Sequence, residues 1–293
     1  MRVLIVTAVP AERDTVVRGC GTTGDLTEVA VPGGVLHRLR ADVPDGPPLT
    51  VDVLAAGVGP AAAAAGTATA LTVAAIQGAP YDLAVSAGIG GGFAPHAPLG
   101  SVVVADAVVA ADLGAETPDD FAAVTDLGFG TVEHRPPPAL VAALAGATGA
   151  VRGTVLTVST VTGSAERAAA LLRRHPRAVA EAMEGFGVAE AAAAQSVPVL
   201  EVRAVSNAVG PRDRAAWRIG EALDALAEAF RRAAPALRTA EAAPAPAPEA
   251  APDVDLEAAP APAPEAAPDV DLEAAPAPAP EAAPDVDLEG RQQ

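Results

Sequence analysis

The chain has 293 residues, enough for one large domain or two small ones, and 51% of them are hydrophobic, so a sizeable core can form. The formal charge of −18 is placed unevenly: three copies of EAAPAPAPEAAPDVDL, starting at Glu241, Glu257 and Glu273, supply −12 of it. No cluster of cationic side chains exists to displace counterions from a nucleic-acid polymer, and Cys20, the single cysteine, excludes an intramolecular disulfide or a Cys-built zinc site.

In chain order, the β-branched run Val3 to Thr7 predicts a buried strand, and with an acid soon after it MRVLIVTAVPAERD reads as that strand and not as a signal peptide. Leu26 to Val31 and Val35 to Leu39 flank Pro32-Gly33-Gly34, a hairpin signal. Leu49 to Ala55 predicts a strand ending at Gly57-Val58-Gly59, and Pro60 to Ile76 an Ala-rich helix. Leu83 to Ser86 and Val102 to Val104 predict strands around a Gly-rich turn. Val155 to Ser159 predicts a strand and Ser164 to Arg174 a helix. Glu184 to Ala194 reads as helical, Val197 to Ser206 as a strand, and Asp213 to Arg238 as a closing helix. Interleaved strands and helices predict an α/β layered domain over residues 1–238 with a largely buried sheet. The Ala-rich stretches are broken before the about 18 strongly apolar residues of a membrane span, so no membrane partner is expected and the cytoplasm is the default compartment.

From residue 239 to 293 Pro alternates with Ala and Glu, and no periodic apolar face survives. Pro fixes φ and removes backbone donors, which predicts an extended, disordered acidic tail. Its DVDL segments, such as Asp253 to Leu256, alternatively read as weak docking motifs repeated for avidity.

Four places could carry chemistry. Glu12 follows the first strand, where α/β sheets place ligands, and also reads as a first-turn acid favoured by the helix dipole. The run Ser86-Ala87-Gly88-Ile89-Gly90-Gly91-Gly92 lets backbone N–H groups approach a ligand, and also reads as a plain tight turn. It leads into Phe93-Ala94-Pro95 and not into a helix, which weakens a dinucleotide reading. Glu184, between Met183 and Phe186, puts a carboxylate beside apolar surface, as a ribose with vicinal hydroxyls and a flat base would need; it also reads as a helix N-terminal acid. Ser206-Asn207 ends a strand, and Asn can donate and accept at once, which suits an oxo group beside a ring nitrogen. Asp213 also reads as the cap of the last helix. His37, His96, His134 and His175 show no ligand spacing, so no metal is expected.

Taken together, the segments resemble a known family. GVGPAAAAAGTATAL from Gly57, SAGIGGGF from Ser86, GSVVVADAVVAADLGAE from Gly100, GTVLTVSTVTG from Gly153, EAMEGFGVAEAA from Glu181 and VRAVSNAVGPRDRAAWRIGEAL from Val202 follow the order of the nucleoside phosphorylase/nucleosidase superfamily. Within it, the last two segments and ADLGAETPDDF resemble the futalosine hydrolases of the alternative menaquinone pathway. The resemblance covers residues 1–236 and implies a three-layer phosphorylase/hydrolase-like fold, a central mixed β-sheet flanked by helices.

It also implies roles. Glu12 stands where relatives activate water, and Glu184 where they hold the ribose hydroxyls. Ala182 stands where methylthioadenosine nucleosidases commonly have a second Glu, and Asn207 where they carry the Asp that protonates N7. The amide favours a 6-oxopurine leaving base, hypoxanthine, with Asp213 as a second acid, acting directly or through water. Ser86, Ala87, Gly88 and Ile89, with Ser206, would line sugar and base, and Met183 and Phe186 would be apolar walls. Phosphorylases need a cation for phosphate just before the Gly-rich run; Asp82 to Val85 offers none, so water is the expected acceptor. The resemblance implies no cofactor and a homo-oligomer whose neighbour completes the pocket. Other purine nucleosidases, a purine nucleoside phosphorylase, and a nucleoside-binding scaffold with a working tail stay open as alternatives.

Overall fold

A computed structural model describes residues 1–21, 26–41, 49–118 and 120–239. Apart from Thr239, the tail expected from residue 239 lies outside the described residues. The N-terminal half contributes β1 (Arg2–Thr7), α1 (Pro10–Cys20), β2 (Thr27–Val31), β3 (Gly34–Ala41), β4 (Leu49–Ala55), α2 (Pro60–Ile76) and β5 (Leu83–Gly92). Then come β6 (Val102–Ala110), β7 (Gly114–Glu116), β8 (Phe121–Ala123), β9 (Glu133–His134), α3 (Pro138–Thr148) and β10 (Val151–Thr157). Last are α4 (Ala165–Arg174), β11 (Ala178–Ala182), α5 (Gly185–Ala193), β12 (Val199–Ala208) and α6 (Ile219–Thr239).

Among the described residues the main sheet runs β11-β10-β6-β12-β5-β1-β4-β3-β2, with β9 on β6. It is mixed: β1 lies parallel to β4 and β5, and β12 parallel to β5, whereas β2–β3, β3–β4 and β6–β12 are antiparallel. The strand β11 also meets the far end of β5, so β5, β12, β6, β10 and β11 close into a ring. Helices cover both faces. Val3 and Ile5 pack with Val16, Leu144, Leu226 and Phe230 on the side of α1, α3 and α6. Leu4 and Val6 pack with Ala70, Leu71, Val188 and Ala189 on the side of α2 and α5. Because alternate side chains of a strand point to opposite faces, this split explains why Val3 to Val6 are all fully buried. No helix among the described residues is long and apolar enough to cross a membrane.

Expectation and structure differ in three places that matter for the site. The Gly-rich run is not a turn: it is the second half of β5, paired with β12 as far as Ala208–Gly92 and crossed by β11 at Gly91 and Gly92. Glycine is needed there because a Cβ at Gly90 would sit 2.7 Å from the carbonyl oxygen of Glu181. The strand expected to end at Ser206 continues to Ala208, with a register shift against β5 between Val205 and Asn207. The closing helix begins at Ile219, not Asp213, because a 3-10 turn over Arg214–Ala216 and an extended Trp217 intervene.

Candidate functional site

The site is built around the middle of β5. Glu12 lies in the first turn of α1 and is 4% exposed. Its Oε2 accepts from the N–H groups of Ala8 (3.0 Å) and Val9 (3.3 Å), reaching back over the helix start as a capping acid does. Its Oε1 accepts from Ile89 N–H at 2.8 Å. The carboxylate is thus fixed both to its own helix, as the first-turn reading expects, and to the neighbouring strand.

Glu184 is the residue before the first turn of α5 and is 5% exposed. Its Oε1 accepts from Gly59 N–H at 3.2 Å, at the start of α2. Gly59 has φ +93°, a conformation that glycine adopts without penalty. Glu184 Oε2 meets the guanidinium of Arg203 at 3.2 Å.

Arg203, on β12, was not among the predicted site residues, yet it ties them together. It is 1% exposed. Its Nε donates to Glu201 at 2.8 Å, its Nη1 to Glu184, and its Nη2 to Ser86 Oγ at 2.8 Å. A Cβ at Gly88 would stand 2.5 Å from Glu12 Oε1 and 2.8 Å from Arg203 Nη1, so one glycine separates the first carboxylate from the cation that holds the second. Glu201 and Arg203 were legible as a pair: opposite charges two apart in the apolar run VLEVRAV must share one face of a strand.

Electrostatics follow from this crowding. Burial is the largest influence on Glu12 and pushes its carboxyl above the usual range near 4.5; Arg203 and the backbone donors pull it back, and Glu184 pushes it up again. The two carboxylates therefore feel each other. Glu201 is raised for the same primary reason, burial.

The remaining predicted residues divide. Ser86 and Ala87 are fully buried and Gly88 is buried, while Ile89 is half-buried. The Ser86 hydroxyl oxygen accepts from Arg203 Nη2. Met183 is half-buried beside Glu184. The Phe186 backbone N–H donates to Thr157 Oγ1 at 2.9 Å, and its ring packs 5.3 Å from that of His134. Ser206 is buried, donating towards Gly90 O and Asn207 Oδ1. Asn207 is half-buried beyond the bulge, and its amide donates to Ala208 O at 3.1 Å. Bulges re-aim side chains next to sites, and this one brings the Asn207 Nδ2 within 3.2 Å of where a Gly91 Cβ would lie. Asp213 is exposed and accepts from Ala215 N–H at 3.1 Å, capping the 3-10 turn and not the last helix. A cleft of about 520 Å³ lined by Asp112, Phe121, Arg167 and Arg174 carries none of the predicted residues. Among the described residues no group of three or more His, Cys, Asp or Glu is arranged to hold a metal ion.

The model of the phosphorylase superfamily matches residues 2–240. The chain belongs to the phosphorylase superfamily. Within that superfamily it is 68% identical to the futalosine hydrolase of Streptomyces coelicolor over 239 residues, which cover 82% of this chain and 97% of that one. It is 43% identical to the futalosine hydrolase of Acidothermus cellulolyticus over 232 residues, 78% of this chain and 88% of the relative. Among solved structures of the superfamily, the native futalosine hydrolase of Helicobacter pylori superposes with a TM-score of 0.64 at 17% identity, covering 79% of this chain and 96% of that one. That last likeness speaks for the shared fold.

Proposed function

We propose that the chain hydrolyses the N-glycosidic bond of futalosine, releasing hypoxanthine and dehypoxanthine futalosine in menaquinone biosynthesis. The 68% identity to a futalosine hydrolase across nearly that protein's whole length supports the substrate. The observation that carries the chemistry is the disposition of Glu12 and Arg203 about Gly88, with Glu184 held on the same guanidinium.

Cleavage of a ribosyl C1′–N bond passes through an oxocarbenium-like state. Such a site must favour positive charge on the sugar, hold one water on the face opposite the base, and let the purine leave protonated. Glu12 takes a proton from that water as its oxygen bonds to C1′, and a carboxyl raised by burial is a stronger base than an exposed one. Glu184 accepts from the ribose hydroxyls and adds negative potential beside the developing cation. The backbone of Ala87 to Ile89 lines the sugar, with Met183 and Phe186 as walls and Ser206 beside the base. Asp213, directly or through water, supplies the one proton that N7 takes as the C1′–N9 bond breaks; Asn207 donates to O6 and accepts from that N7–H, which selects a 6-oxopurine.

The charge balance argues for water over phosphate as the acceptor. Arg203 already serves Glu184, Glu201 and Ser86, and three carboxylates face one guanidinium, a poor setting for a phosphate dianion. In this proposal residues 1–238 constitute the nucleosidase domain of a cytoplasmic homo-oligomer. Exposed Leu113, Leu127 and Phe129, all between β6 and β9, supply apolar surface for the subunit contact. Sedimentation of the full chain tests the assembly; a monomer at micromolar concentration would refute it. Chromatography of products from futalosine, inosine and methylthioadenosine tests the substrate. Base release from futalosine ahead of both others is expected, and a preference for methylthioadenosine would overturn the assignment.

A further inference from the structure

Glu201 is used by none of the steps above, although it is the most deeply enclosed acid of the site. It is fully buried on β12; one oxygen accepts from Arg203 Nε at 2.8 Å, and the other, Oε2, is buried without a hydrogen-bond partner. That oxygen lies against the backbone at the start of α5, where a Cβ on Gly185 would overlap the carboxylate. A glycine directly after Glu184 is therefore what lets a buried acid reach beneath the helix start.

A guanidinium is planar, so fixing Nε fixes where both terminal nitrogens point. With Nε held by Glu201, Nη1 is aimed at Glu184 and Nη2 at Ser86. Without that hold the side chain of Arg203 could rotate, and its Nη1 would move relative to both Glu184 and Glu12. A buried carboxylate with one unmatched oxygen costs stability, and its position on the same strand face as Arg203 gives that cost a purpose.

We infer that Glu201 is a positioning residue: it orients Arg203 so that the guanidinium holds Glu184 towards the ribose and stands beside the water-activating Glu12. This rests on the nucleosidase reading above and adds to it a residue with no substrate contact of its own.

The test compares Glu201→Gln, which keeps an acceptor for Nε, with Glu201→Leu, which keeps bulk and removes it, in the full-length chain. Hypoxanthine release is measured on protein shown to be folded by its thermal melt. Misplacement by about 1 Å costs about 10²-fold, so the Leu variant is expected to lose kcat on that order while the Gln variant stays within roughly fivefold of the parent. A folded Leu variant with parental kcat overturns the inference, as does a Gln variant no better than Leu. If the Leu variant does not fold, the Gln variant decides alone: near-parental kcat is expected, and a folded Gln variant reduced about 10²-fold overturns it. Should the parent release no hypoxanthine, the nucleosidase reading fails by itself. The crystal structure of the Gln variant then decides the positioning: Arg203 Nη2 is expected to stay on Ser86 Oγ with the Gln oxygen on Nε, and a displaced guanidinium overturns it.

Discussion

Replacing Gly88 by Ala adds one methyl group at the point where the site is tightest. The new Cβ would stand 2.5 Å from Glu12 Oε1 and 2.8 Å from Arg203 Nη1. Ordinary contact begins near 3.4 Å, so the carboxylate oxygen must retreat by about 0.9 Å. It cannot do so freely, because the same oxygen accepts from Ile89 N–H at 2.8 Å and its partner oxygen from Ala8 and Val9. The guanidinium is equally confined by Glu201, Glu184 and Ser86. The backbone at Gly88 is ordinary strand, so no conformational penalty confuses the result. Overpacking of this kind costs about 1–3 kcal/mol of stability, and a displacement near 1 Å in the reacting groups costs about 10²-fold in rate. Steady-state hypoxanthine release from futalosine, read beside a thermal melt, separates the two effects. A folded Gly88→Ala variant within threefold of the parent in kcat would show that Glu12 and Arg203 do not set the reaction geometry.

Three further outcomes follow from the same contacts. Because burial raises the Glu12 carboxyl and the base must be unprotonated, kcat/KM should fall on the acid side with a midpoint above 4.5; a profile flat down to that pH would remove Glu12 as the base. Asn207→Asp should move base preference from 6-oxo towards 6-amino purines, measured as the kcat/KM ratio of inosine to adenosine, and an unchanged ratio would refute base reading by this side chain. Asp52 is buried, which raises its carboxyl, but bonds from Arg38, Tyr81 and Arg2 outweigh that and hold it below the usual range. Asp52→Asn should cost about 3–5 kcal/mol in denaturant unfolding while kcat of the folded enzyme stays parental; a loss below 1 kcal/mol would contradict the pairing.

How far the sequence speaks for the structure depends on the residue type. Leu49–Ala55 and Pro60–Ile76 fall where the β-branched run and the Pro at a helix start put them, since local chemistry sets both boundaries. The run Gly88 to Gly92 misleads, because the same freedom that suits glycine to turns also lets β11 and β12 press against β5; only the tertiary partners distinguish the two. Glu12 and Glu184 are singled out by family resemblance and position; the Glu201–Arg203 pair shows in the strand pattern, but its link to Glu184 and to Ser86, 117 positions before Arg203, exists only once the chain is folded. Asp213 reads in sequence as a cap of the last helix and instead caps the short turn before it, because the intervening 3-10 turn depends on local geometry that the motif does not reveal.

Glu12→Gln in phosphate-free buffer probes most directly whether the paired acids make water the nucleophile. Futalosine binding is followed by calorimetry, and hypoxanthine release by chromatography before and after phosphate is added. The parent should turn over at one rate with or without phosphate, and the variant should bind as the parent does yet react about 10²–10⁴-fold more slowly. A variant as fast as the parent, or a parent that needs phosphate, would contradict it.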